Sequence, residues 1–165
     1  MQIYTSCLES YINGALHGQW IDITKPIDDV FKDIHNMLKT SPMPNSQEWA
    51  IHDYDGFDDI RLGEYESLEH VQKIAVFIKE HGNLATKLLL ELDNDVDTAQ
   101  SMIENNYLGE YESVIDYAKE STESSGDVPN HLKHYIDYDL MAKDMLNDLF
   151  TFETDDGSIH VFSWS

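Results

Sequence analysis

Basic residues, cysteines and long apolar stretches are all scarce in this sequence. Its 165 residues include Lys+Arg 10 against Asp+Glu 32, for a formal net charge of -22. Because proteins that read nucleic acids need a positive surface, this balance excludes direct nucleic-acid binding and favours basic protein surfaces as partners. The single cysteine, Cys7, excludes an intramolecular disulfide, and no apolar run approaches the ~18 residues of a membrane helix. We therefore expect a reduced, soluble cytoplasmic protein that contacts no membrane.

Proline is also rare, with 4 residues, while 41% of the residues are hydrophobic and 11% aromatic. A disordered acidic chain carries less apolar content than this. The chain is therefore expected to fold, either as one domain of ordinary size or as two to three very small units.

Strand and helix signals alternate in an order typical of an α+β fold. Residues 2–8, 19–23 and 48–54 have strand patterns, and turns at Asn13-Gly14 and Gly18 are expected to join the first two. A helix is predicted over 27–39, because apolar residues recur there at helical spacing. These residues are Ile27, Val30, Phe31, Ile34, Met37 and Leu38. The pattern predicts an N-terminal unit, residues 1–61, in which one helix covers an antiparallel sheet.

The rest of the chain divides into a helical stretch and a mixed one. Ser67 is placed to cap a helix that Gly82 ends, and two shorter helices follow over 83–92 and 95–104. They predict a helical middle unit, 62–103. A strand over 107–111, a helix after Ser113, further short helices and a hairpin around Asp155-Asp156-Gly157 predict a C-terminal α+β unit, 104–165.

The acidic residues are spread along these elements instead of forming a terminal tail. The net charge matches the phosphate charge of roughly 11 base pairs, or ~37 Å of duplex. On the helix after Ser113, Glu112, Asp116, Glu120 and Glu123 are expected to form one row at intervals of four, four and three residues, where each like-charge pair costs the helix a few tenths of a kcal/mol. A protein that needs only solubility gains nothing from a row of unpaired acids on one helix face. A protein whose surface imitates phosphates requires such a row. The carboxylates expected to form this partner-binding surface are Asp53, Asp55, Asp58, Asp59, Glu64, Glu66, Glu69, Asp93, Asp95, Asp97, Glu112, Asp116, Glu120 and Glu123.

The acidity is also compatible with two functions that involve no mimicry. In a structural or adaptor protein it can serve solubility or adaptation to high salt. Asp93, Asp95, Asp97 and Glu104 also stand at positions 1, 3, 5 and 12 of an EF-hand loop, although Thr98 replaces the glycine usual at position 6. A calcium-binding acidic protein that uses Asp93 to Glu104 is therefore the alternative function.

Catalytic patterns and a complete histidine or cysteine metal site are missing from the sequence. His131 and His134 are three residues apart, but no Cys pair or further ligand pattern accompanies them, so no metal site is expected there. His52 and Asp53 are neighbours that point to opposite faces of a strand. The sequence also lacks a nucleophile elbow and a phosphate-binding glycine loop. We expect no enzyme activity, no catalytic residue and no cofactor.

Several segments nevertheless resemble a known family, the ArdA antirestriction proteins. They are NGALHGQWIDI (13–23), EWAIHDYDGF (48–57), DVPNHLKHYIDYDLMAKDM (127–145) and the closing FTFETDDGSIHVF. Within the third segment, Val128-Pro129 and Tyr135-Ile136-Asp137-Tyr138 are the most distinctive parts and are similar to the family's antirestriction motif. The order and spacing of the segments cover nearly the whole chain, except for residues 60–104, where only acidity and helical pattern match.

The resemblance implies an elongated, curved chain of three small units that forms a homodimer and imitates bent B-form DNA. It implies binding to the specificity and methyltransferase subunits of type I restriction-modification enzymes, which would exclude DNA and block restriction, modification or both. It further implies a bacterial cytoplasmic protein carried on mobile genetic elements. The third unit would supply the dimer contact, for which the apolar candidates are Val128, Leu132, Tyr135, Tyr138 and Met141.

Overall fold

A computed structural model describes residues 1–164. The tertiary contacts divide the chain into two compact units, which we name unit 1 (Met1–Val96) and unit 2 (from Asp97 onward). Helices and two three-stranded antiparallel sheets make up the fold, so the predicted α+β class is confirmed. The division into three units at residues 61 and 103 stays a prediction, and its first boundary falls inside unit 1.

Unit 1 begins with a sheet whose strand order is β2-β1-β3. Its elements are β1 (Gln2–Cys7), α1 (Leu8–Ile12), β2 (Gly18–Asp22), α2 (Ile27–Lys39) and β3 (Trp49–Asp55). The helix α2 packs on β1 and β2 through the buried side chains of Val30, Ile34, Met37 and Leu38, as its spacing predicts. Phe31, which shares the same apolar spacing, is instead 41% exposed.

The connection between β1 and β2 differs from the expected turn. Residues Leu8–Ile12 form a short helix, α1, and the turn at Gly14, with a φ of 78°, comes only after it. Five residues are too few for apolar periodicity to reveal a helix, and no side chain caps this one.

The helices α3 (Leu68–His81) and α4 (Asn83–Glu91) complete unit 1. The Ser67 hydroxyl accepts a hydrogen bond from the backbone N–H of His70 at 3.1 Å, and Gly82 ends α3 with a φ of 60°. Both predicted signals are therefore confirmed. The side-chain amide of Gln72 donates to the backbone oxygen of Ile23 at 3.2 Å, which ties α3 to the segment after β2. This contact gives a physical reason why residues on both sides of position 61 share one unit.

Unit 2 combines four helical segments with a second antiparallel sheet. Its helices are α5 (Val96–Asn105), which starts at the last residue of unit 1, α6 (Val114–Ser124) and α7 (Tyr138–Met145), with a short 3-10 helix at Lys133–Tyr135. Its strands are β4 (Tyr107–Tyr111), β5 (Leu149–Glu153) and β6 (Ile159–Ser163), in the order β4-β6-β5. The predicted hairpin is confirmed, since Gly157 has a φ of 85° between the paired strands β5 and β6.

No helix within residues 1–164 combines the length and the apolar composition needed to cross a membrane.

Candidate protein-binding surface

The predicted carboxylates lie on ordered helices, strands and tight turns. All of them are exposed except that of Glu66, which is half-buried. Charge is therefore available on the surface of both units. A fixed backbone lowers the entropic cost of binding a partner, and packing and hydrogen bonds supply it to the acidic segments of both units.

The first acidic segment follows the edge strand β3 and the turn after it. Asp53 and Asp55 are exposed and alternate with the half-buried Tyr54 along the strand. Beyond Gly56 the chain is anchored by Phe57 and Ile60, each 1% exposed, and the backbone N–H of Ile60 donates to the Phe57 oxygen at 3.0 Å. This turn holds Asp58 and Asp59 outward between its two anchors.

Two hydrogen bonds bring a second acidic loop next to the first. The Thr86 hydroxyl donates to a carboxylate oxygen of Asp58 at 3.3 Å, and the side-chain amide of Asn94 donates to the backbone oxygen of Arg61 at 3.3 Å. Asp93 and Asn94 have φ values of 53° and 65°, a conformation that Asp and Asn tolerate better than most residues. The loop with Asp93 therefore lies beside the Asp58 turn in unit 1.

The acidic row of unit 2 is shorter than the sequence predicts. Asp116, Glu120 and Glu123 lie on α6, whereas Glu112 precedes the capping residue Ser113 and is outside the helix. The Ser113 hydroxyl accepts a hydrogen bond from the Asp116 N–H at 3.2 Å and donates to its carboxylate at 2.5 Å. Asp116 thus stabilises the helix start in addition to contributing charge.

Only part of the predicted dimer patch faces outward in the monomer. Leu132 and Tyr135 are 45% and 85% exposed, whereas Val128, Tyr138 and Met141 are half-buried. The sulfur of Met141 accepts a hydrogen bond from the Thr122 hydroxyl at 3.1 Å inside unit 2. Leu140, which the sequence pattern did not single out, is 58% exposed on the same helix as Met141. Helical spacing alone does not tell which side of such a short helix packs inward.

The geometry around Asp93 to Glu104 differs from an EF-hand loop. An EF-hand wraps its ligands around the ion in a loop that turns sharply at position 6. Here α5 begins at Val96, position 4, and runs past Glu104. No cluster of three or more His, Cys, Asp or Glu side chains within residues 1–164 is placed to hold a metal ion. Because a helix occupies these positions, the structure gives no support to calcium binding by Asp93 to Glu104.

Two titratable groups with shifted pKa values, His160 and Asp156, lie in the sheet of unit 2 and in its hairpin loop. His160 is 7% exposed, stacks on Phe152 and shares a 2.7 Å hydrogen bond between its Nδ1 and the Tyr107 hydroxyl. Burial lowers the pKa of His160 below its ordinary value. In the β5–β6 loop, hydrogen bonds from Thr154 and Ser158 lower the pKa of Asp156 to about 2. These hydrogen bonds join β4 to β6 and stabilise the loop between β5 and β6.

An exposed aromatic side chain is the main feature of the surface that the sequence did not predict. Tyr65 is 74% exposed, although it lies in a turn fixed by backbone hydrogen bonds. Tyr65 stands between Glu64 and Glu66, which belong to the predicted surface. An aromatic residue between two surface acids is the sequence pattern that could have indicated its exposure. The ring lines a groove together with Phe31 and Trp49.

Comparison with known proteins agrees with the motifs in the sequence. A family model of the antirestriction protein ArdA matches residues 3–160. No curated protein gives a significant match to the chain. The family match includes both units, among them the acidic segments and the segment from Val128 to Tyr138. The chain belongs to the ArdA family of antirestriction proteins.

Proposed function

We propose that this antirestriction protein mimics B-form DNA and competes with DNA for the binding groove of type I restriction-modification enzymes. The partner would be the DNA-binding part of the enzyme, formed by its specificity and methyltransferase subunits. Occupancy of that groove blocks restriction, modification or both. The observation that carries this proposal is the exposure of the predicted carboxylates on ordered elements of both units.

Charge and order together support mimicry over general acidity. A protein groove that binds DNA is lined by Lys and Arg, which neutralise phosphates and release counterions. Carboxylates held outward by anchors such as Phe57 and Ile60 offer that groove the same charge without the flexibility of an acidic tail. Because the ligand is itself a folded protein, inhibition needs no cofactor and no turnover, and the protein acts without being an enzyme.

A homodimer would extend the mimic along its target. One chain carries the charge of roughly 11 base pairs, so two chains carry that of roughly 22. Tyr135 and Leu132 are exposed apolar side chains in the segment that carries the family motif, which supports a self-contact there. Val128, Tyr138 and Met141, which are half-buried in the monomer, belong to the same proposed contact. We further propose action in the bacterial cytoplasm, where restriction enzymes meet incoming mobile genetic elements.

The test is release of labelled DNA from a purified type I methyltransferase. The methyltransferase is bound to a fluorescent duplex that contains its target site, and anisotropy is followed as the acidic protein is added. Release of the DNA is expected. Because the contact is electrostatic, the dissociation constant of the protein–methyltransferase complex, measured without DNA, should rise steeply as salt is increased. Retention of the DNA at all protein concentrations would contradict the proposal.

A further inference from the structure

Unit 1 contains a groove that differs in chemistry from the acidic surface around it. The groove, which we name the Tyr65 groove, has a volume of about 600 Å³. The apolar and aromatic side chains that line it are Leu8, Phe31, Trp49, Tyr65 and Leu68. Four glutamates also line it: Glu48, Glu64, Glu66 and Glu69. Double-stranded DNA has phosphates but no aromatic pocket of this kind on its surface, so the groove adds something that phosphate imitation does not require.

Tyr65 is held in place before any partner arrives. The Glu66 N–H donates to the Gly63 oxygen at 3.2 Å, and the Gly63 N–H donates back to the Glu66 carboxylate at 3.2 Å. The Ile51 N–H donates to the Glu64 oxygen at 2.9 Å, which fixes the turn to β3. A tyrosine on such a fixed turn loses little conformational entropy when it is covered by a partner.

The charge around the ring selects what can cover it. No lysine or arginine is among the groove-lining side chains of the described chain. The imidazole Nε2 of His70 lies 3.8 Å from the Glu66 carboxylate, too far for a hydrogen bond. A cationic side chain that entered the groove would meet glutamates at its rim and the face of an aromatic ring inside it. Guanidinium groups favour both contacts, through paired hydrogen bonds to carboxylates and through cation–π attraction.

We propose that the Tyr65 groove binds a partner segment in which arginine side chains flank one aromatic side chain. The aromatic side chain packs against Phe31, Trp49 and Tyr65, and the arginines pair with the glutamates at the rim. That the partner is a type I restriction-modification enzyme rests on the proposed function. The chemistry of the occupant follows from the groove alone. The apolar contact gives the complex a component of affinity that salt does not screen.

The groove can be tested directly with two peptides of equal charge. Their sequences are Arg-Arg-Phe-Arg-Arg and Arg-Arg-Ser-Arg-Arg, both blocked at their ends. The chain has 3 tryptophans, so the substitutions Trp20→Phe and Trp164→Phe leave Trp49 as the only indole, and its fluorescence reports on the groove. We expect the peptide with Phe to bind about 10-fold more tightly than the peptide with Ser, as for a buried aromatic anchor. Equal binding of the two peptides would overturn the inference.

Two further variants of the protein that carries Trp20→Phe and Trp164→Phe distinguish binding in the groove from nonspecific apolar binding. Tyr65→Ser is expected to abolish the preference for the Phe peptide. Leu16→Ser, which removes another apolar side chain of unit 1 that is 83% exposed, should preserve it. Because Tyr65 is 74% exposed, its replacement should leave the circular dichroism spectrum unchanged. A preference that survives Tyr65→Ser in a folded protein would also overturn the inference.

DNA release from the type I methyltransferase distinguishes this inference from the proposed function. If the groove contacts the methyltransferase, about 10-fold more of the Tyr65→Ser variant than of the wild-type protein should be needed to release the DNA. The salt dependence of binding to the enzyme should have the same slope for both proteins. If wild-type protein releases DNA and Tyr65→Ser does so equally well, the groove inference fails and the proposed function stands. If the peptide preference is present but wild-type protein releases no DNA, the groove stands and the proposed function fails.

Discussion

Neutralising three carboxylates of the predicted surface should weaken binding to a type I methyltransferase far more than neutralising three acids elsewhere. Each variant changes the net charge by the same amount, and all six side chains are exposed in the wild-type protein. The test variant carries Asp53→Asn, Asp55→Asn and Asp59→Asn, and the control carries Glu80→Gln, Asp148→Asn and Glu153→Gln.

The expected size of the effect follows from exposed ion pairs. Each pair between a surface carboxylate and a basic side chain of the partner contributes about 0.2–1 kcal/mol. Loss of three such pairs therefore raises the dissociation constant by a factor of roughly 3 to 150. The control acids lie outside the predicted surface, so under this proposal they form no ion pair with the partner, and their loss should change the dissociation constant by less than about 2-fold. The Asp53 carboxylate accepts a hydrogen bond from the Tyr54 N–H at 2.9 Å, and the oxygen of Asn keeps this acceptor.

The assay is competition with fluorescent DNA for the methyltransferase at a fixed, near-physiological salt concentration. Circular dichroism and thermal unfolding of both variants establish that they remain folded. Equal losses of affinity in the two variants would show that total charge, and not its placement, determines binding. That result would refute the argument that the acids around β3 form a defined partner-binding surface.

Three further predictions concern stability and assembly. Ser113→Ala removes the cap of α6 and is expected to lower the free energy of unfolding by about 1 kcal/mol, measured by urea denaturation. Because burial lowers the pKa of His160 in the folded state, the unfolded chain takes up a proton first, so stability should fall as the pH drops below about 6.5; His160→Phe should flatten that part of the pH profile. The double variant Leu132→Ser and Tyr135→Ser should shift a dimer towards monomer in sedimentation velocity, whereas Leu16→Ser should not.

Local signals in the sequence were enough to predict most of the elements. Ser67 caps α3 and Gly82 ends it, and the β5–β6 hairpin forms around Gly157. In each case the residue satisfies a backbone requirement that depends only on its neighbours in sequence, a cap acceptor or a positive φ. Such requirements are recognisable from sequence directly.

Features that depend on contacts distant in sequence were not predictable in this way. The bond from Gln72 to Ile23 joins segments 49 residues apart and places α3 in the same unit as the first sheet. Tyr65 lies in a turn that is fixed because the backbone oxygen of its neighbour Glu64 accepts a hydrogen bond from Ile51 of β3. Of the candidate site, the identity of the exposed acids was therefore accessible from sequence, whereas the loop pairing around Asp58 and the Tyr65 groove were not.

The most direct test of DNA mimicry asks whether DNA and the acidic protein can occupy a type I methyltransferase together. The inhibition constant of the protein is measured at a series of concentrations of the target duplex. Competition for one groove predicts that the apparent constant rises in proportion to the DNA concentration, with no species that contains both ligands in sedimentation velocity. An apparent constant that is independent of DNA, or a stable ternary complex, would contradict the account.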